Sequence, residues 1–227
     1  MAGADPILFD LDGTLTASGP GILASVRYAL AELGEPIPPA EVLDRFIGPP
    51  LATSFAELCG LGPDRVEEAI GAYRVHYIQR GMFDNAVYDG IPDALDHLSD
   101  AGGTLAVATS KAEPYARDIL DHFGLSDRFA VVVGSELDGR RTDKAEVIAE
   151  ALRQLGSRGA DQRGAGRGAG PAMIGDRRHD VAGALAMGVP SIGALWGYGS
   201  ADELTAAGAT ALVAQPTGLV PLLRPLR

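Results

Sequence analysis

The stretch Ile7-Leu-Phe-Asp-Leu-Asp-Gly-Thr-Leu15 decides how the rest of the chain is read. Its first half belongs to an unbroken apolar run, Pro6 to Asp10, the pattern of a strand covered on both faces. Its second half places two carboxylates, Asp10 and Asp12, with the turn residues Gly13 and Thr14, where that strand ends. Similar runs follow at Leu105 to Thr109, Phe129 to Val133, Ala172 to Asp176 and Val189 to Ala194, with amphipathic helical patterns between the later ones. The alternation predicts an α/β fold with a Rossmann-like parallel sheet as its core. Open sheets of this kind bind ligands at the carboxyl edge of their strands, and Asp10 and Asp12 fall there.

One interval breaks the alternation. From about Thr16 to Tyr88 the pattern is helix after helix: Gly21 to Leu33, Ala40 to Phe46, Leu51 to Cys59 and Pro63 to Arg80, separated by breaks such as Gly34-Glu-Pro-Ile-Pro-Pro and Gly48-Pro-Pro. The expected division is a core of residues 1–16 and 89–227 with an inserted α-helical domain of residues 17–88. The chain re-enters the core near Asp89-Gly-Ile-Pro, where Pro92 suits the first turn of a helix reaching about Ala101. Residues 157–170 are glycine- and arginine-rich and are expected to form a flexible loop within the core, with no chemistry assigned.

Composition narrows the partners. Thirty acidic residues against 19 basic ones give a net charge of −11, which argues against a nucleic acid polymer or an anionic membrane surface as partner. No apolar run approaches the roughly 20 residues of a membrane span. The N-terminal Met-Ala-Gly-Ala-Asp-Pro has neither a basic region nor an apolar signal core, so a cytoplasmic location is the expectation. The single cysteine, Cys59, has no partner for a disulfide and reads as a buried packing residue. A small anionic ligand stays compatible with the charge, because a pocket's local field can be reversed by a bound cation.

Two carboxylates at positions i and i+2 beyond a buried strand repel unless a cation or a shared proton relieves them. Mg2+ is the natural cofactor, being oxygen-seeking and content with one or two carboxylates plus water and phosphate. Three further signals stand at later strand ends. Thr109-Ser110-Lys111 follows an apolar strand and is expected to open a helix, either capping it or holding phosphate oxygens at its N-terminus. Lys144 begins a helix reaching Leu155, an awkward place for a cation unless an anion faces it. Gly175-Asp-Arg-Arg-His-Asp180 follows an apolar strand and precedes a helix; Asp176, at the strand end, is placed to bind a cation, and Asp180, on the first helical turn, ligates, orients a metal-bound water or merely caps the helix.

With these motifs in place, the sequence resembles the haloacid dehalogenase superfamily, specifically its phosphatases with a helical cap inserted after the first strand. The narrower likeness is to the phosphoglycolate phosphatase-like group and its bacterial 5'-nucleotidase-like branch. It rests on Phe46-Ile-Gly-Pro-Pro-Leu51, Ala108-Thr-Ser-Lys-Ala-Glu-Pro114, Gly175-Asp-Arg-Arg-His-Asp-Val-Ala-Gly183 and Trp196-Gly-Tyr-Gly199. The resemblance implies Asp10 as the nucleophile that forms an aspartyl-phosphate and Asp12 as the acid/base. It implies Thr109, Ser110, Gly13 and Thr14 as phosphate-binding, with Lys144 neutralising both phosphate and Asp10. It also implies Mg2+ held by Asp10, Asp12 through its backbone carbonyl, and Asp176, with Asp180 in direct or indirect contact.

Around the inserted domain, Arg45, Ile47, Gly48, Pro49 and Pro50 read as either a substrate-facing loop or a helix terminator. Arg177, Arg178 and His179 either reach the substrate or lie exposed. Tyr73, Tyr77 and Phe83 read as core of the insert rather than a base-stacking platform. The function expected is Mg-dependent hydrolysis of a small phosphate monoester, a phosphoglycolate-like acid or a nucleoside 5'-monophosphate. Phosphotransfer to a sugar or to a protein tyrosine through the same intermediate is the alternative, and a non-catalytic phosphometabolite-binding module the second alternative.

Overall fold

Strand β1 (Pro6–Phe9) sends its side chains alternately into two apolar layers, Ile7 and Phe9 to one and Leu8 to the other. The computed structural model describes residues 6–156 and 170–223, so the glycine-rich segment expected as a loop lies outside the described residues except for Gly170. On either side of β1 run β2 (Thr104–Ala112) and β4 (Ala172–Gly175), both parallel to it. Strand β3 (Val131–Ser135) lies beyond β2, and β5 (Ser191–Ala194) and β6 (Ala211–Val213) beyond β4, all in parallel pairs.

The sheet order is β3-β2-β1-β4-β5-β6. The chain therefore builds outward from β1 on one side, then returns to β1 and builds outward on the other. Its carboxyl edge opens a crevice where the direction reverses. The parallel α/β core expected from the sequence is present. Strand β6, three residues long and only partly buried, carries no pattern that could have revealed it.

Leu8, Ala106 and Met173 pack with Val147, Ile148 and Leu152 of α7 (Lys144–Gln154) and with Ala184 of α8 (Arg178–Ala186). On the opposite face, Ile7, Phe9, Leu105, Val107 and Ile174 meet α5 (Ile91–Asp100) and α6 (Glu113–His122). Helices α9 (Ala201–Ala207) and α10 (Leu219–Leu223) complete the core.

Every regular element described between residues 17 and 88 is helical: α1 (Gly19–Glu32), α2 (Ala40–Leu43) followed by a 3-10 turn to Phe46, α3 (Leu51–Cys59) and α4 (Pro63–His76), which runs on into a π-helical turn, Tyr77–Gly81. Gly60, at φ +68, supplies the left-handed residue that ends α3, and Pro63 opens α4. Ile22, Val26, Leu30, Phe55 and Tyr73 pack into the same apolar cluster as Phe9. The two connections to the core run side by side, with Ala17 N–H donating to Ala86 O at 2.7 Å and Tyr88 N–H to Leu15 O at 3.1 Å.

Three expectations need adjustment. Phe83 is 46% exposed and stacks on His122 of α6, so it is not core of the insert, whereas Tyr73 and Tyr77 are buried. Strand β2 does not stop near Ala108 but continues to Ala112, and α6 starts at Glu113, where Pro114 suits a first helical turn. Cys59 is half-buried against the main cluster rather than enclosed in it. No helix among the described residues is long and apolar enough to cross a membrane.

Candidate active site

The turn after β1 is folded onto one acceptor: Leu11 O receives the N–H groups of Thr14, Leu15 and Thr16 at 3.3, 2.9 and 3.0 Å. Gly13 sits inside it at φ +84, and a Cβ there would lie 2.2 Å from Asp176 Oδ2. Only glycine satisfies both the dihedral and the space. Gly13→Ala should therefore cost about 1–3 kcal/mol in backbone strain alone. It should also displace Asp176, and so would weaken any Mg2+ held there, read by calorimetric titration beside urea unfolding.

Asp176, at the end of β4, is completely buried and held from three directions. Tyr198 N–H donates to its Oδ2 at 2.8 Å and the Thr14 hydroxyl to its Oδ1 at 3.3 Å. The segment Trp196-Gly-Tyr-Gly199 passes so close that a Cβ at Gly197 would lie 2.3 Å from Asp176 Cβ, and one at Gly199 1.9 Å from Asp176 O. Trp196 Nε1 donates to Thr14 O at 2.9 Å and fastens this wall to the β1 turn. Gly13 and Thr14, expected to touch phosphate, thus build the seat of Asp176; Gly13 N–H itself donates to Thr16 O at 2.8 Å.

Asp180 has two tasks. Its Oδ2 accepts Arg177 N–H at 3.0 Å, which caps α8, and its Oδ1 faces Lys144 Nζ at 2.7 Å. Lys144 in turn donates to Asp10 Oδ1 at 2.8 Å and to Ala108 O at 3.0 Å. The helix begins beneath a separate cap, since Asp143 accepts Ala145 N–H at 2.8 Å, and the Lys144 side chain leaves it to cross into the site. Two facing carboxylates remove the objection to a cation at a helix N-terminus. Burial opposes the Lys144 charge, but Asp10 and Asp180 hold its pKa above the ordinary lysine value.

Asp10, Asp176 and Asp180 are all buried, and each offers an oxygen within 4.8 Å of the others. Among the described residues, Lys144 is the one ammonium paired with this trio, so three buried carboxylates share a single neutralising charge there. Burial, then Asp180 and Asp10, push the Asp176 carboxyl well above its usual range. An all-oxygen donor set with excess negative charge fits a hard divalent cation such as Mg2+. The Asp12 side chain is not in this group; its Oδ2 pairs with Lys111 Nζ at 2.8 Å.

Burial raises the Asp180 carboxyl from 3.8 to about 6, against the opposing pull of Lys144 and with help from Asp10. A carboxyl that binds its proton more tightly when folded stabilises the fold at low pH and loses that contribution as pH rises through its folded value. For Asp180 in the metal-free protein, the loss falls between 3.8 and about 6. A cation held by the trio would replace the proton, so a Tm increase on adding Mg2+ should be largest above that window and shrink as pH falls through it. Scanning calorimetry showing a Mg2+-induced shift that is flat across the window would contradict this reading.

Thr109 is buried in the extension of β2, where the register against β3 slips between Ala108 and Ala112. The slip bulges Thr109, Ser110 and Lys111 toward the carboxyl edge, and the Thr109 hydroxyl accepts Lys111 N–H at 3.2 Å. These residues therefore do not open a helix, contrary to expectation. Ser110 and Lys111 instead line a cavity of about 170 Å³ between sheet and helical insert, shared with Asp12, Gly48, Pro49 and Tyr77. Pro50 also lines it, but Arg45 does not and is exposed. Ile47 contributes its carbonyl, which accepts a hydrogen bond from Arg177 Nη1. Arg177 is buried and also bonds Glu203 at 3.0 Å, whereas Arg178 is exposed and His179 half-buried.

The model of the haloacid dehalogenase-like hydrolase family matches residues 7–194, from β1 to the end of β5. The chain belongs to this family. It is 46% identical over 196 residues to the tyrosine-protein kinase PtkA of Mycobacterium tuberculosis, covering 86% of this chain but 64% of that protein. The chain thus spans under two thirds of that relative's length. It is 45% identical over 200 residues to a 5'-nucleotidase of Pseudomonas aeruginosa, covering 88% of this chain and 86% of the relative. Among solved structures, a predicted phosphatase from Clostridium acetobutylicum superposes with a TM-score of 0.89 at 41% identity, covering 97% of this chain and 98% of that one.

Within this family member, sequence reading passed over Lys111, Arg177 as a link to the insert, and the Tyr198 amide. Lys111 carried a signal: it stands two residues beyond Thr109, on the same side of an extended chain. Tyr198 carried none, because its backbone rather than its side chain touches Asp176.

Proposed function

We propose that the protein is a Mg2+-dependent phosphatase of small phosphate monoesters that works through an aspartyl-phosphate on Asp10, with residues 17–88 as a cap over the site. The observation that carries this reading is the Lys144 bridge to Asp10 and Asp180 beside the buried Asp176. It leaves a strand-end carboxylate oriented by one oxygen, next to a donor set suited to a divalent cation. Asp10, Asp176 and the Asp12 backbone carbonyl would hold Mg2+, with Asp180 in direct or indirect contact. When bound, the ion would offset the charge that a phosphate dianion brings to three carboxylates.

Lys144 fixes Asp10 by Oδ1, so Oδ2 attacks phosphorus and the ester P–O bond breaks. Asp12 gives its proton to the departing oxygen. Water then attacks the phosphorus, Asp12 takes the water's proton, and the bond from Asp10 to phosphorus breaks to release inorganic phosphate. Thr109 and Ser110 supply hydroxyl donors for the non-reacting phosphate oxygens. Monoester hydrolysis needs acceleration of up to about 10²¹-fold, and fixed donors in a site shielded from bulk water are the means a protein has for it.

The substrates this reading admits are a phosphorylated short acid and a nucleoside 5'-monophosphate. Phosphate release from an ester panel, with and without Mg2+, is the test; absence of any Asp10-dependent release across the panel would reject the reading. The 46% identity to a protein named a tyrosine kinase supports a second reading, phosphotransfer from the same aspartyl-phosphate to a hydroxyl acceptor. Labelled phosphate appearing on an acceptor rather than in solution would select it.

A further inference from the structure

The chain crosses between core and helical insert twice, and the two crossings form a short ribbon. Thr16 is bridged antiparallel to Val87, and Asn85 Nδ2 donates to Thr16 Oγ1 at 3.2 Å. All other contacts between the two parts are non-covalent. A rotation of the insert over the site therefore turns at this ribbon, since hinge motion is absorbed by a few residues at element ends.

Tyr198 lies across the ribbon. Its hydroxyl oxygen accepts the N–H of Gly19, the first residue of α1, at 2.6 Å, and a Cβ on Gly19 would come within 2.8 Å of that oxygen. The Tyr88 hydroxyl, from the returning crossing, hydrogen-bonds with the same Tyr198 hydroxyl. Both crossings are thus tied to one phenol group.

The backbone of the same residue reaches the carboxylate trio, because Tyr198 N–H donates to Asp176 Oδ2 at 2.8 Å. Gly197 and Gly199 press on Asp176 too closely for any Cβ, so the segment has no slack, and a shift of the Tyr198 ring must move its amide. The second Asp176 oxygen depends on this segment as well. Trp196 holds Thr14 O at 2.9 Å, and the Thr14 hydroxyl donates to Asp176 Oδ1 at 3.3 Å.

We infer that Tyr198 is a positioning residue that couples the insert's hinge to the cation seat, so that the tied hinge, the seated Asp176 and a bound divalent cation favour one another. The inference rests on the reading of Asp176 as a cation ligand. Coupling of this kind is reciprocal: the factor by which the tied hinge strengthens cation binding is the factor by which the cation strengthens the tie.

Tyr198→Phe deletes the hydroxyl and keeps the ring and the backbone N–H. It should weaken Mg2+ binding about three- to tenfold in calorimetric titration, the factor that one hydrogen bond carries. Tyr88→Phe, which removes no bond to Asp176, should give a smaller loss, and the double variant should bind no more weakly than Tyr198→Phe alone. Hydrogen exchange reads the reverse direction at the Ala17 and Tyr88 amides, whose acceptors Ala86 O and Leu15 O the substitutions leave in place. Mg2+ should slow both at least about threefold in the native protein and less than about twofold in Tyr198→Phe. Unchanged Mg2+ affinity in Tyr198→Phe overturns the inference, as does equal slowing in variant and native protein. Additive losses in the double variant overturn it too, because Tyr88 then acts apart from Tyr198. A native protein that binds no Mg2+ refutes the proposed cation site instead, and the coupling is then read without metal. Asp176→Ala should speed exchange of the two amides in the native background and add nothing in the Tyr198→Phe background; equal exchange with and without the Asp176 carboxylate overturns the inference.

Discussion

Asp10→Asn should lower kcat by at least about four orders of magnitude on every ester the native protein hydrolyses, the scale seen when a covalent nucleophile is removed from its site. The change is chemically narrow. An amide has the shape of the carboxylate, and its oxygen still accepts the Lys144 hydrogen bond that now measures 2.8 Å. What it lacks is the anionic oxygen to which the proposed mechanism assigns the attack on phosphorus. Because the variant also removes one of three buried carboxylates that share one ammonium, its metal-free form should melt no lower than the native protein. Quenched-flow measurement with labelled ester should find phosphate on the native chain and none on the variant. Retention of turnover within tenfold would exclude Asp10 as the nucleophile.

Lys144→Met should be the more damaging change for the fold. Lys144 is 6% exposed and pairs with Asp10 and Asp180, which are also buried. Removing one member of a buried ion network typically costs about 3–5 kcal/mol, because the remaining charges stay desolvated and unpaired. In a chain of this size that corresponds to a fall in Tm of roughly 10 °C, at about 2–4 °C per kcal/mol. The cause can be separated from lost packing. Adding Asp180→Asn to the Lys144→Met protein should recover part of the loss, because it removes a carboxylate that no longer has a partner. Mg2+ should restore part of the single variant's stability by the same logic. Activity should stay low in both, since Asp10 is no longer oriented. A double variant less stable than the single one would show that Lys144 acts through its methylene packing alone.

The elements readable beforehand share one property, namely that their signal is local. Strand β1 is a run of apolar residues apolar on both faces, and α3 was bounded at Leu51 and Cys59 by Pro50 before it and Gly60 after it. Lys144, Asp176 and Asp180 each followed an apolar strand or opened a helix, so the strand-end rule placed them on one edge. Arg177 was left between reaching the substrate and lying exposed, and it is buried because Ile47 O and Glu203 satisfy its guanidinium. Thr109 was expected at a helix start because Thr-Ser is ordinary capping sequence. The bulge that instead lifts it toward the site is a matter of register with β3, which depends on residues more than twenty positions away.

By itself, then, the amino-acid order determined which residues stand at the ends of buried strands, because apolar periodicity and turn chemistry act over a few neighbours. It thereby named the acidic groups and the lysine of the candidate site. The tertiary structure decided who pairs with whom: Lys144 with Asp10 and Asp180 across 134 and, by the numbering, 36 positions, and Lys111 with Asp12 rather than with solvent. It also decided that Gly13, Gly197 and Gly199 serve as clearance around Asp176. Those outcomes turn on distances of a few ångströms between segments far apart in the chain, and only the packed sheet, insert and loops together set such distances.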